Sequence, residues 1–219
     1  MAYSDYTLEE LNAFFDITLE DTGDYFADTA PIALNAELQS LLLRRIPLAL
    51  SINTEKARSE LIIAPLLLEA VERAGIPVGF FSGVEFSPDP QRGLRGTCDY
   101  MLTLSKQQLF IEAPVVAIAE AKNENLKSGF PQCIAEMRAA QYYNDARNAP
   151  TSPIFGVVTT GNLWKFLRLI GQTAFLDRAE YHIDQPDRVL GILLRMLHEA
   201  HTLRQNGIKS TERTARELP

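Results

Sequence analysis

The five residues Val115-Val116-Ala117-Ile118-Ala119 run apolar without a break and lead into Glu120-Ala121-Lys122. Following Pro114 and rich in β-branched side chains, this run reads as a strand covered on both faces, the pattern of an internal strand in an α/β sheet. On a strand, Glu120 and Lys122 are two apart and project from the same face. A carboxylate and an ammonium aimed at one spot on the rim of a sheet serve either as a metal ligand with its catalytic partner or as a salt bridge. The flanking sequence has to separate the two.

Composition bounds the classes. With 219 residues and 46% hydrophobic content, the chain suffices for one well-packed domain with a small N-terminal addition. No apolar run approaches the roughly 18–20 residues that span a bilayer. The opening Met1-Ala2-Tyr3-Ser4-Asp5 has neither the basic region nor the apolar core of a signal peptide, so a cytoplasmic protein is expected. Cys98 and Cys133 lack CxxC or Cys/His spacing, which predicts reduced thiols and no structural zinc. The net charge of −7 lies entirely in residues 1–50, with nine acids and two bases, while the remainder holds nineteen of each. A globally basic nucleic-acid binder is thereby excluded, but a local groove on a neutral body is not.

Taken in order, Thr7-Leu8-Glu9-Glu10 has capping-box spacing and starts a short amphipathic helix. A second helix is expected from about Pro31 to Arg45, ending before Pro47. A longer one follows from about Thr54 to Ala74, kinked at Pro65 and stopped by Gly75, with Glu60 beside its apolar stripe. Val78 to Phe86 and Thr97 to Leu104 read as a hairpin, with Asp99 on the face opposite Cys98 and Tyr100. After the Glu-Ala-Lys strand comes a helix from about Lys127 to Arg147, then the strand Ile154–Thr160, a Gly161-Asn162 turn and the strand Leu163–Ile170. Phe175 to Ile183 is expected as an edge strand, and residues 186–204 as a closing helix. The expected divisions are an acidic helical extension over 1–50, an α/β domain over 51–205 and a flexible tail over 206–219.

Within this order, helix, three strands, helix, strand, strand, lie Glu60 on the first helix, Asp99 on the second strand, Glu120 and Lys122 on the third and Gln132 near the start of the next helix. Over residues 54–165 the chain resembles the PD-(D/E)XK nuclease superfamily. It is most similar to the N-terminal nuclease-like domains of type I restriction subunits, through Thr159-Thr160-Gly161-Asn162-Leu163-Trp164-Lys165-Phe166, and to small bacterial proteins of the superfamily common in cyanobacteria. The resemblance implies an α/β fold with a restriction-endonuclease-like core, a central mixed β-sheet flanked by helices, carrying an added helical N-terminus. It implies a metal-dependent nuclease that hydrolyses phosphodiester bonds through a metal-activated water. Asp99, Glu120 and the Ala121 carbonyl would hold Mg²⁺ or Mn²⁺, with Glu60 assisting. Lys122 would orient or help deprotonate the water, and Gln132 would hold Lys122 or the water in place. Nucleic acid, DNA first, is the implied partner, and a homodimer the implied assembly. Cys98 stands where the motif has Pro, and the only bases near the implied groove are Arg92, Arg95, Lys127 and Lys165. The alternative is a catalytically degenerate nuclease-fold protein that acts as a binding or interaction module.

Other motifs carry less. His198 and His201 are three apart, not the i, i+4 pair of a zinc protease, and read as helix-surface residues near a C-terminal cap. Neither a Gly-rich phosphate loop nor a nucleophile elbow is present. Trp164 reads as a packing anchor, and Arg138, Tyr142, Tyr143 and Arg147 as a solvated helix face.

Overall fold

The computed structural model describes residues 1–216, with side chains placed through residue 206. Its centre is a mixed sheet in the order β1-β7-β6-β5-β4-β3-β2, with β8 pairing β6. These strands are Thr18–Glu20 (β1), Gly79–Asp89 (β2), Leu94–Thr103 (β3), Val115–Ala121 (β4), Ile154–Thr159 (β5), Leu163–Ile170 (β6), Thr173–Leu176 (β7) and Tyr181–His182 (β8). The hairpin partners β2 and β3 are antiparallel, as are β3 and β4, whereas β4 and β5 run parallel. A parallel pair needs a crossover, and helix α5 (Phe130–Asp145) supplies it.

Helix α1 (Leu8–Phe15) begins as its spacing predicts: the Thr7 hydroxyl accepts from the Glu10 amide, and Glu10 accepts from the Thr7 amide at 2.9 Å. Helix α2 (Ala36–Ile52) departs from expectation at both ends. It starts at Asn35, whose side chain accepts from the Leu38 amide at 2.7 Å, and it runs straight through Pro47. The carbonyl that Pro47 leaves without a donor lies on an exposed turn beside Leu43, where water can serve it.

The third helical stretch is continuous but not uniform. Helix α3 (Glu55–Arg58) widens into a π turn (Ser59–Ile63) before α4 (Ala64–Arg73). The Ala64 amide reaches back five residues to Ser59, so the distortion expected at Pro65 is absorbed by a wide turn just ahead of it.

Two apolar layers cover the sheet. On one face α4 and the closing helix α6 (Pro186–Arg216) pack on Ala117, Ala119 and Ala121, small residues that let the helices come close. On the other, α5 packs with Ile118, Cys98 and Met101, together with Tyr3, Leu11 and Phe15 from the N-terminus. The opening residues are therefore built into the domain and are not a separate extension. β1 pairs parallel to β7 and occupies the edge that Phe175–Ile183 was expected to form. Buried Asp177 ties the next loop down, accepting from the Tyr25 amide at 2.8 Å and the Tyr181 hydroxyl at 2.7 Å.

α6 continues to Arg216, well beyond the expected end at residue 204, and most of the expected flexible tail is helical; residues 217–219 lie outside the described ones. His198 is accordingly not near a cap. Its Nε2 is 2.8 Å from the Ala74 carbonyl oxygen, where it joins α6 to α4. Among the described residues no helix is long and apolar enough to cross a membrane.

Candidate active site at the end of β4

All seven residues of β4 are buried, including Glu120. The strand is held at its start by Asn144 of α5, whose amide accepts from the Val115 N–H at 2.8 Å and donates to the Val115 carbonyl at 2.7 Å. A side-chain amide thus replaces a strand partner. At its far end the apolar alternation delivers Glu120 and then Lys122 to the α5 face, following Ile118.

The antiparallel register pairs Tyr100 with Ala119, and its continuation by one residue sets Asp99 opposite Glu120. Asp99 is half-buried. Its Oδ2 accepts from the Ala121 N–H at 2.8 Å, so a side chain fills the place of a ladder hydrogen bond. The strict alternation expected for β3 breaks here. Cys98 packs with Met101 on the α5 side, while Tyr100 and Leu102 face α4 and α6. Across the hairpin, Gly83 sits between the pairs Ser82–Tyr100 and Val84–Cys98 and takes φ +60°, a conformation that suits glycine.

Lys122 closes the group. Its Nζ is 2.6 Å from Glu120 Oε1 and 3.2 Å from Gln132 Oε1. Gln132 in turn donates through Nε2 to Glu136 Oε1 at 3.1 Å, and Glu136 is fully buried. A β-carbon on Gly129 would come within 2.6 Å of Val158 Cγ1 and 3.1 Å of Lys122 Cγ, so glycine lets the start of α5 sit against these strand ends. Among the described residues the buried oxygens without a partner include Glu120 Oε2 and Glu136 Oε2, together with Asn123 Oδ1 just after Lys122 and Thr103 Oγ1.

Electrostatics follow from this crowding. Burial, and then the Asp99 charge, push Glu120 from 4.5 up to about 8, although Lys122 pulls the other way. Asp99 is raised by burial against the opposing pull of the Ala121 N–H and Lys122. Glu136 is raised well above the carboxylate range by burial and by Glu120. For Lys122, burial acts downward, but the contact with Glu120 outweighs it and the ammonium is held more firmly than usual.

Four of the expected residues, Asp99, Glu120, Lys122 and Gln132, come together. Ala121 lies among them, its amide given to Asp99. Glu60 does not join them: it is exposed on the π turn and pairs with Lys56 at 2.9 Å. The wide turn moves it off the helix face that a regular 3.6-residue period assigns. Glu55, in the first turn after the Thr54 cap, is the helical acid whose charge acts on both Glu120 and Lys122. Glu136 was also missed, and the signal for it was legible: it follows Gln132 by four on one helix face, inside an otherwise apolar stretch.

The expected groove bases are largely engaged elsewhere. Arg92 pairs with Asp89 and donates to the Tyr142 hydroxyl, Arg95 donates to the Met1 carbonyl, and Lys165 donates to the Arg178 carbonyl. Lys127 is exposed on the turn leading into α5. Tyr142 is stacked by Arg138 and Arg92, with guanidinium carbons 4.7 and 5.3 Å from its ring centre. Cys98 and Cys133 are free and buried, with thiols pushed well up by burial, which makes them poor nucleophiles. Trp164 is a buried anchor, its indole N–H donated to the Gly161 carbonyl.

No family model, curated protein or solved structure matches this chain.

Proposed function

We propose that this protein is a metal-dependent nuclease with a restriction-endonuclease-like core of the PD-(D/E)XK superfamily, hydrolysing phosphodiester bonds of nucleic acid, DNA first. The observation that carries the reading is the cluster at the end of β4. Lys122 is held between Glu120 and Gln132, Glu120 keeps a buried, unpartnered oxygen, and the strand register sets Asp99 opposite Glu120. The strand order around it, antiparallel to β3 and parallel to β5, supports the same reading.

The donor set suits a hard divalent cation such as Mg²⁺ or Mn²⁺. Two facing carboxyls that burial drives toward the neutral form, Glu120 also through the Asp99 charge, would be relieved by a positive charge between them. Among the described residues no group of three or more His, Cys, Asp and Glu side chains is placed to hold a metal; on this reading Asp99 and Glu120 would hold the cation, with the Ala121 carbonyl as a third oxygen. A cation there supplies charge neutralisation at the phosphate and an acidified water. The chain's own residues do the rest. The Ala121 N–H aims Asp99, Gln132 fixes the Lys122 ammonium, and Lys122 donates to the attacking water or to the oxygen on which charge develops. Glu55 adds negative potential at the helix side of the site.

The test is Mn²⁺-dependent cleavage of a panel of single- and double-stranded DNA and RNA. Cleavage by the native chain, lost in Lys122→Ala and Asp99→Asn, is expected; cleavage that persists in both variants refutes the assignment. A second reading, a degenerate fold acting as a binding module, draws on the direct 2.6 Å contact between Lys122 and Glu120, which can serve as a purely structural ion pair. Calorimetric titration separates the two: the nuclease requires Mn²⁺ binding that Asp99→Ala/Glu120→Ala abolishes. A cytoplasmic location and a homodimer remain part of the proposal.

A further inference from the structure

The carboxyl that the proposed chemistry leaves unused is Glu136. It is wholly buried, one helical turn beyond Gln132, and its single hydrogen bond is the one it accepts from Gln132 Nε2. Burying a carboxyl is costly even when it is neutral, and a second oxygen left without a partner adds to that cost.

Gln132 explains what the carboxyl does. An amide has one acceptor end and one donor end, and the two ends are nearly the same shape, so packing alone does not choose between its two orientations. Lys122 is a donor only. Its Nζ needs the oxygen end of Gln132, which it meets at 3.2 Å. Glu136 presents an acceptor oxygen whether or not it is protonated, and it takes the nitrogen end. The flipped amide would point N–H at an ammonium and lose that bond, and it would keep the other only if Glu136 turned a protonated O–H toward it.

We propose that Glu136 is a positioning residue that sets the orientation of the Gln132 amide, and through it the place of the Lys122 ammonium, an inference that rests on the nuclease reading above. Its hydrogen bond goes to Gln132, not to Asp99, Glu120 or Lys122. Its role is to keep the acceptor end of Gln132 toward Lys122.

The test uses the full chain with Glu136→Gln, which keeps an acceptor oxygen, and Glu136→Met, which keeps the volume but removes it. Two readouts are taken: hydrogen exchange of the Gln132 side-chain amide by NMR, and kcat and KM for Mn²⁺-dependent cleavage. Glu136→Met is expected to lose amide protection and about tenfold in kcat with KM unchanged, the size of one misdirected hydrogen bond in the transition state. Glu136→Gln is expected to retain both. Glu136→Met added to Gln132→Met should cost nothing beyond Gln132→Met alone, because the effect passes through that amide. The proposal is overturned if Glu136→Met turns over like the native chain, if Glu136→Gln is as impaired as Glu136→Met, or if the double variant shows independent losses. Absence of cleavage by the native chain removes the nuclease reading and the positioning role together, whereas an active native chain with an equally active Glu136→Met removes the positioning role alone.

Discussion

Replacing Glu120 by Gln should flatten the dependence of stability on pH. Burial and the facing Asp99 push the Glu120 carboxyl from 4.5 up to about 8. A carboxyl whose pKa is higher in the folded chain than in the unfolded chain binds more protons when folded. Its contribution is therefore fully present below the unfolded value and is lost as pH rises to the folded one. The window runs from about pH 4.5 to about pH 8. At about 1.4 kcal/mol per unit, a shift of this size is worth at most about 5 kcal/mol, a large share of the 5–15 kcal/mol typical of a domain. Asp99 and Glu136, both raised, act in the same direction. Lys122 is raised too, so its contribution is complete below its ordinary value of 10.5 and constant across the window. Urea unfolding at about pH 5, 6.5 and 8.5 reads the effect. The native chain should lose stability steadily as pH rises, and Glu120→Gln should match it near pH 5 and exceed it near pH 8.5. A native stability that is flat or rising over this range, or an equal slope in Glu120→Gln, would refute the electrostatic account of the site.

Further outcomes follow from the same geometry. Mn²⁺ binding should tighten from about pH 6 to about pH 8.5, because protons leave Glu120 over that range and cease to compete with the cation; calorimetry showing constant affinity contradicts this. Gly129→Ala should destabilise the fold by about 1–3 kcal/mol and impair cleavage, since the added carbon meets Val158 and Lys122; an unchanged melting curve counts against that close approach. Glu60→Ala should shift stability by no more than about 0.5 kcal/mol and leave cleavage intact, as its partner Lys56 is also exposed. A large loss of activity in that variant would return Glu60 to the site.

Much of the site was legible because it lies on regular strands. The apolar run before Glu120 fixes which face carries the charges, and strand period alone puts Lys122 with it. Gln132 was placed by the family resemblance, near the start of the helix that follows β4. Glu60 failed for a physical reason: a π turn just ahead of Pro65 inserts a residue into the helical period, which a regular 3.6-residue reading does not anticipate. The N-terminal fifth was misjudged similarly. Its acids are solvated, as their charge suggests, but the sparse apolar residues between them, Tyr3, Leu11, Phe15 and Ile17, enter the core beside α5.

Sequence by itself determined the types of the central strands and of the helices packed on them, the buried character of β4 and the identity of the charged group at its end, because periodicity and turn chemistry are local properties. Tertiary structure decided the rest. It joined β1 to β7, set Asp99 across from Glu120 with its oxygen on the Ala121 amide, excluded Glu60, and brought buried Glu136 to the far end of Gln132. Each of these depends on which surfaces meet, and contacts between residues far apart in the chain leave no period for a sequence to display.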